Sequence, residues 1–591
     1  MSKAMFGDSM IFSGFAKMTA ANKSRMNKVG RADHSLASQT QQHEVQQVMK
    51  LKKFVRLAVT SVIVLVLIVA LALAILWWYL APSETAPASP VVPAGPVSSV
   101  EREIETGSLA GVRDGDILIF KGIPYASPPV GHLRWRPPAP PESWSGRRDA
   151  SQFGNDCWQV KAPSDPARSS QPMSEDCLTI NVWAPAEIPE GGAPVMFWIH
   201  GGGFVQGSSS QPALDGSEFA RRGIVLVSFN YRLGRFGFFA HPALMAEAGS
   251  EPAGNWGLMD QVAALRWVSR NISTFGGDPG RITLFGQSAG GASVAQLMLD
   301  PQVNGLYSRA IIQSSGGRNR WVPMRSANPD GHSGLRAAEG FAANAGLDEP
   351  DAGELRSLNA ELLVGNLSLA KLDPKTFSGP IIDGKLVRSD FVDGFLAGRQ
   401  AGVPLIVGST NRELSHLNFL ARWGLRQWAK RELGHSLKAV RASYASQDAF
   451  DDNIVNDWGF AEPARTLAAS HASRGYNTWL YSFDYIGSAR REVYDGAPHA
   501  SDVTFVFGNL GREGIVPDDR DWKMSSAIQA YWRTFATSGN PDASAYPAWP
   551  RYESGAGQLL RFEQSGPRLD GVARQSELDA ISQAMALGSN R

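Results

Sequence analysis

The residues best suited to chemistry lie at Gly286-Gln287-Ser288-Ala289-Gly290. Here G-x-S-x-G follows the β-branched and aromatic run Arg281 to Phe285 and precedes the small-residue stretch Ala292 to Met298. That order reads as a strand, a tight turn and a helix. Glycine on either side of Ser288 lets the backbone turn sharply enough to hold the hydroxyl above the strand end. The free N–H groups of the following helix then face any negative charge that develops there. Such a serine is placed to act as a nucleophile. In a chain with 60 glycines the bare pattern also arises by chance; the strand before it and the helix after it set this occurrence apart.

A second stretch supplies what acyl transfer needs besides a nucleophile. The apolar run Pro194 to His200 ends in Gly201-Gly202-Gly203-Phe204, and glycines at a strand end let backbone N–H groups face a ligand with no side chain in the way. Alone, three glycines are commonly a flexible loop. Beside a nucleophilic serine they are donors for a tetrahedral oxyanion.

Positioning these groups requires a rigid frame, and from Glu101 onward strand-like and helix-like segments alternate. Buried-strand runs are expected at 194–200, 224–230, 309–314, 403–408 and 478–484. Leu258, Val262, Leu265 and Val268 fall at helical spacing, so that helix covers the sheet. The fold class expected is α/β, with a large, mostly parallel central sheet covered by helices. No internal repeat and no phosphate loop of Walker type occurs.

With 43% hydrophobic and 19% charged residues, the 591-residue chain can bury a large core. A formal net charge of +1 offers no electrostatic case for nucleic acid as a partner. The charge is unevenly placed. Residues 1–56 carry Lys3, Lys17, Lys23, Arg25, Lys28, Arg31, Lys50, Lys52, Lys53 and Arg56 against Asp8, Asp33 and Glu44, and the second half of the segment is Gln/Ser-rich. A basic, largely disordered cytoplasmic segment is expected there. Residues 57–80 are uncharged; as a helix they would extend about 36 Å, enough to cross a hydrocarbon core with some tilt. Trp77, Trp78 and Tyr79 sit at its far end, where interfacial aromatics belong, and no Lys or Arg follows before Arg102. The expectation is a single-pass anchor in the lipid bilayer, with the rest of the chain on the periplasmic or extracellular side. A cleaved signal peptide is the competing reading. It would start at Met49 and be cut near Ala70-Leu71-Ala72-Leu73-Ala74, but the apolar run is longer than a usual h-region. Residues 81–100 form a Pro/Ala-rich spacer, and the folded domain is assigned to 101–591.

Both cysteines, Cys157 and Cys177, follow the apolar run. Their closeness and an oxidising compartment on that side predict one disulfide.

Several further stretches carry a family resemblance. They are Gly122-Ile123-Pro124-Tyr125-Ala126, Leu133 to Pro138, Glu175 to Trp183, the turn at 200–204, Asn230-Tyr231-Arg232, Gly254 to Gln261, Phe275 to Pro279, Phe285 to Gly291 and Phe535 to Pro541. Together they resemble the type-B carboxylesterases of the carboxylesterase/cholinesterase family, over nearly everything after the spacer. The resemblance implies an α/β-hydrolase fold with triad order Ser, acid, His, a small-molecule ester as substrate and no cofactor. The family's acid follows a strand as Gly-x-x-x-x-Glu, which Gly408 to Glu413 fits, giving Glu413; this chain departs from the family's usual Asp-Glu-Gly by reading Arg412-Glu413-Leu414. Asp383 is the nearest competitor but matches another family element. The family's histidine loop precedes Phe505-Val506-Phe507-Gly508 and gives His499 as base. His200 belongs to the oxyanion turn, and His332, His416, His435 and His471 lack such a context. The oxyanion donors implied are the N–H groups of Gly202, Gly203 and Ala289. Where many relatives carry Glu before the serine this chain has Gln287, which weakens the case for a cationic choline-type ester. Two alternatives stay open. One is hydrolysis of another acyl bond (amide, carbamate or thioester); the other is a cholinesterase-like adhesion or binding protein, whose members usually lack the nucleophile.

Overall fold

The apolar runs assemble side by side in the computed structural model, which describes Met49 and residues 97–588 except 162–168, 319–320, 329–330, 513–515, 554 and 556. The expected basic segment, membrane anchor and most of the spacer lie outside the described residues. Among the described residues no helix is long and apolar enough to cross a membrane.

Twelve strands follow one path through a large sheet. In chain order they are β1 (Val97–Ile104), β2 (Gly107–Asp114), β3 (Ile117–Pro124), β4 (Thr179–Pro185), β5 (Ala193–Ile199), β6 (Val225–Phe229), β7 (Gly277–Gln287), β8 (Arg309–Gln313), β9 (Leu405–Thr410), β10 (Thr478–Phe483), β11 (Gln558–Glu563) and β12 (Gly566–Gly571). Their spatial order is 1-2-3-4-6-5-7-8-9-10-11-12, with a short strand at Arg147–Asp149 beside β2. From β6 to β11 every ladder is parallel. Antiparallel pairs close both edges, so the parallel character expected from the sequence belongs to the centre. β1 begins at Val97, four residues inside the expected spacer.

The central strands read as continuous apolar runs because both faces are covered. Along β5, Val195, Phe197 and Ile199 join one apolar cluster while Met196 and Trp198 join the other, as the two-residue side-chain period requires. Helices α1 (Trp256–Asn271), α2 (Ala289–Leu297) and α5 (Glu462–Ala472) cover the first face; α6 (Asp519–Ser538) covers the second. Between them in the chain lie α3 (Phe419–Leu433) and α4 (Gln447–Asn456), and α7 (Gln575–Gly588) ends the described chain. Leu258, Val262, Leu265 and Val268, the predicted stripe, all lie in the first cluster. Cys157 and Cys177 are joined by a disulfide and both are buried. Closing a loop of that length stabilises a domain by about 3 kcal/mol in the chain-entropy account.

Candidate active site

Register brings the chemistry to one edge of the sheet. Ile199 is level with Gly286 across β5 and β7, Gln287 with Gln313 across β7 and β8, and Gln313 with Gly408 across β8 and β9. The loops that leave these strand ends therefore meet at their carboxyl ends, where ligands of open α/β sheets bind.

Ser288 sits between β7 and α2 with φ 58° and ψ −123°, a left-handed conformation that costs a non-glycine residue roughly 1–3 kcal/mol. The packing around it over-determines that conformation. Its N–H donates to the Gln313 carbonyl at 2.9 Å, and its own carbonyl accepts from the Ala292 N–H at 2.9 Å. α2 is buried along its whole length. A Cβ on Gly290 would lie 1.9 Å from the Ile199 carbonyl oxygen, and one on Gly291 2.8 Å from that of Gln313. Only small residues let the helix start this close to the strands. Gly290→Ala is accordingly expected to push β5 away from the elbow. It should cost about 1–3 kcal/mol of stability and about 100-fold in ester turnover. Urea denaturation and a nitrophenyl ester assay check this, and an unchanged midpoint with full turnover would show that the approach is not tight.

The glycine turn lies against the elbow. A Cβ on Gly201 would be 3.2 Å from Cβ of Ser288, and one on Gly202 would be 2.0 Å from the Gln206 carbonyl oxygen. Gly202 and Gly203 have φ of 106° and 61°. The Gly202 carbonyl accepts from the N–H groups of Val205 and Gln206, so the turn is tied from its carbonyl side. Among the described residues the N–H groups of Gly202, Gly203 and Ala289 make no hydrogen bond, and Ala289 opens α2, where the positive end of the helix dipole falls. His200 is buried, stacks on Tyr231 with ring centroids 4.4 Å apart, and uses Nδ1 against the Gly201 carbonyl. Burial pushes its imidazole down to about 4, so it supports the turn as a neutral ring.

Glu413 and His499 come from loops after β9 and β10 and meet directly. Nδ1 of His499 donates to Oε2 of Glu413, and the His499 backbone N–H donates to the Glu413 carbonyl at 2.8 Å. Glu413 is fully buried, its Oε1 accepts from the Thr410 N–H at 2.8 Å, and its own N–H donates to Asn456 at 3.0 Å. Arg412, the departure from the family's usual residue, points away from the carboxylate and pairs with Asp495 on the histidine loop at 3.0 Å. Phe460 stands beside the imidazole with ring centroids 5.3 Å apart. It is carried by a π-helical turn, Asp457–Ala461, between α4 and α5, a type of irregularity common at functional sites. Asp383 binds the backbone N–H groups of Lys385 and Val387 and the Asn255 amide, which is the work of a loop-shaping residue.

Three neighbours of the site make contacts that the sequence reading did not foresee. Asn456, at the end of α4, carries no motif. Asp502 lies three residues after His499 and is buried with Oδ2 on Gln313 and on the Tyr481 hydroxyl; burial raises its carboxyl to about 6. Its place in the histidine loop was a usable signal. The third is Gln287, whose side chain reaches Nε2 of His499 at 3.0 Å.

The sheet order, with a serine on a strained strand-to-helix turn and a histidine and a glutamate beside it at the carboxyl edge, defines an α/β hydrolase. A profile of the Carboxylesterase family matches residues 98–424 and 434–580. The fumonisin B1 esterase of Sphingopyxis macrogoltabida is 35% identical over 478 residues, covering 78% of this chain and 86% of that one. The para-nitrobenzyl esterase of Bacillus subtilis (strain 168) is 35% identical over 475 residues, covering 77% and 93%. A solved PNB esterase structure superposes with a TM-score of 0.70 at 32% identity, covering 82% of this chain and all of that one. The chain belongs to the carboxylesterase family and is a carboxylic-ester hydrolase.

Proposed function

We propose that ester cleavage runs through Ser288 as nucleophile, His499 as base and Glu413 as acid, with an acyl-enzyme intermediate. His499 Nε2 takes the hydroxyl proton as Ser288 Oγ attacks the ester carbonyl. The N–H groups of Gly202, Gly203 and Ala289 receive the oxyanion, and Glu413 stabilises the imidazolium and holds its orientation. The proton then passes to the leaving alkoxide, the C–O bond breaks, and the alcohol departs. Water repeats the sequence on the acyl-enzyme and frees the acid. The observation that carries this reading is the buried Glu413 holding His499 by both side chain and backbone at the edge where the Ser288 elbow opens. Turnover of nitrophenyl esters of graded acyl length by wild type and Ser288→Ala tests it. Stoichiometric labelling of Ser288 by an organophosphonate is expected, and labelling at another residue overturns the nucleophile.

Neutral esters fit the site better than cationic ones. Gln287 brings no charge, and the apolar Leu369 stands against the glycine turn. The two esterases reported above act on the compounds in their names, and those names indicate bulky organic esters as the class to test.

Residues 57–80 are assigned as a single-pass anchor with residues 1–56 in the cytoplasm and the hydrolase on the far side. The uncharged run, its basic flank and the disulfide support this. The full chain should stay with membranes after a carbonate wash, and protease added to spheroplasts should free an active fragment. Release by carbonate rejects the anchor; activity shielded inside intact spheroplasts reverses the orientation.

A further inference from the structure

Gln287 is the last residue of β7, one before Ser288, and is 5% exposed. Its amide nitrogen lies 3.0 Å from Nε2 of His499. The other ring nitrogen, Nδ1, is bonded to the Glu413 carboxylate, which only accepts, so the ring proton resides on Nδ1 and Nε2 carries the lone pair. The amide N–H therefore donates to the same atom that must take the proton of Ser288. Among the described residues the Ser288 hydroxyl makes no hydrogen bond. Two groups compete for one lone pair, and in this structure the amide holds it.

We propose that Gln287 is a positioning residue acting through His499: its amide occupies Nε2 in the resting enzyme, yields it to the Ser288 hydroxyl when an ester binds, and, being uncharged, sets no carboxylate against that nitrogen. This rests on the triad reading above. Once the proton has moved, Nε2 bears the N–H that is delivered to the leaving oxygen, and the amide nitrogen, which only donates, has no lone pair with which to retain it. A carboxylate in its place could only accept, and would favour the imidazolium in every state.

The charged groups that face His499 come from its own loop and from the one after β9. They are Glu413 at Nδ1, Asp502 three residues on, and His416 beyond Glu413, with Arg490 beside His416. None of these belongs to β7. Gln287→Glu therefore adds a carboxylate next to Nε2, where among the described residues the side-chain contact is the uncharged Gln287 amide.

The test is the pH dependence of kcat/KM for a neutral nitrophenyl ester, measured on the full chain as wild type, Gln287→Glu, Gln287→Met and His499→Ala, with thermal melts to establish folding. For Gln287→Glu the acid-side half-maximal pH is expected to rise by about one unit or more. For Gln287→Met, which fills the space but neither donates nor carries charge, a smaller rise is expected. A Gln287→Glu profile that coincides with wild type overturns the proposal, and so do equal shifts in the two variants, which would report disturbed packing alone. Wild-type turnover by His499→Ala would instead defeat the triad reading, so the two failures are distinguishable.

Discussion

Replacing Ser288 by Ala is expected to lower kcat by roughly 10⁴-fold or more, and His499→Ala by a similar factor, with the fold intact. In the proposed mechanism the two residues act as one unit: without the hydroxyl there is no acyl-enzyme, and without the imidazole the hydroxyl is not deprotonated at neutral pH. Losing both should therefore cost little more than losing either. Neither change threatens folding. Ser288→Ala retains the backbone bonds to Gln313 and Ala292, and the His499 backbone N–H still reaches Glu413. Single-turnover kinetics with a nitrophenyl ester provide the measurement. A Ser288→Ala enzyme that keeps even a tenth of wild-type kcat would remove the serine from the chemistry.

Glu413→Gln is expected to lower kcat by about 10³-fold or more, approaching the loss seen on removing Ser288. The carboxylate accepts from Nδ1–H and so fixes the tautomer that leaves Nε2 free. A glutamine can present an N–H there instead, and the ring must then shift its proton to Nε2, where it cannot act as a base. Burial raises the stakes, because no solvent is available to replace the lost partner of a fully buried group. Asp383→Asn is the matched control. Asp383 ties down backbone N–H groups at Lys385 and Val387, so its loss should affect stability and leave kcat within about tenfold of wild type. The opposite outcome, an active Glu413→Gln and an inactive Asp383→Asn, would move the acid to Asp383 while leaving ester hydrolysis in place.

The kinetic variants bear on the residue pairings, and those pairings were legible to different degrees. Glu413 was reached only through the family resemblance, which places an acid at Gly-x-x-x-x-Glu after a strand and which Gly408 to Glu413 fits despite the altered neighbours. Arg412 is consistent with that placement, since it turns outward to Asp495 and leaves the carboxylate facing inward. The antiparallel strands that precede β4 were not foreseen, although β1 to β3 are each bounded by the turn residues of a meander. Their alternation is broken by burial on both faces in β3, which blurs the period that marks a strand.

What the amino-acid sequence determined by itself is local and repetitive: the elbow around Ser288, the glycine turn, the apolar runs of the parallel centre, the helix over Leu258 to Val268 and the cysteine pair. The first four depend on backbone freedom or side-chain period within a dozen or so residues, and the cysteine pair, 20 residues apart, on there being two cysteines beyond the apolar run; all can be read along the chain. Only the tertiary structure decided which side chains complete the site. Gln287 meets His499 across a separation of 212 residues, Asn456 reaches the Glu413 N–H from the end of α4, and Phe460 is set beside the imidazole by a single π-helical turn. These are contacts of about 3 to 5 Å from a strand end, a helix end and a π-helical turn to the loops that carry Glu413 and His499. A hydrogen bond needs its donor and acceptor about 3 Å apart and well aligned, so the path of the chain through the fold selects the partner. The same Gln that reads as a missing charge in the sequence lies, once the chain is packed, with its amide 3.0 Å from Nε2 of His499.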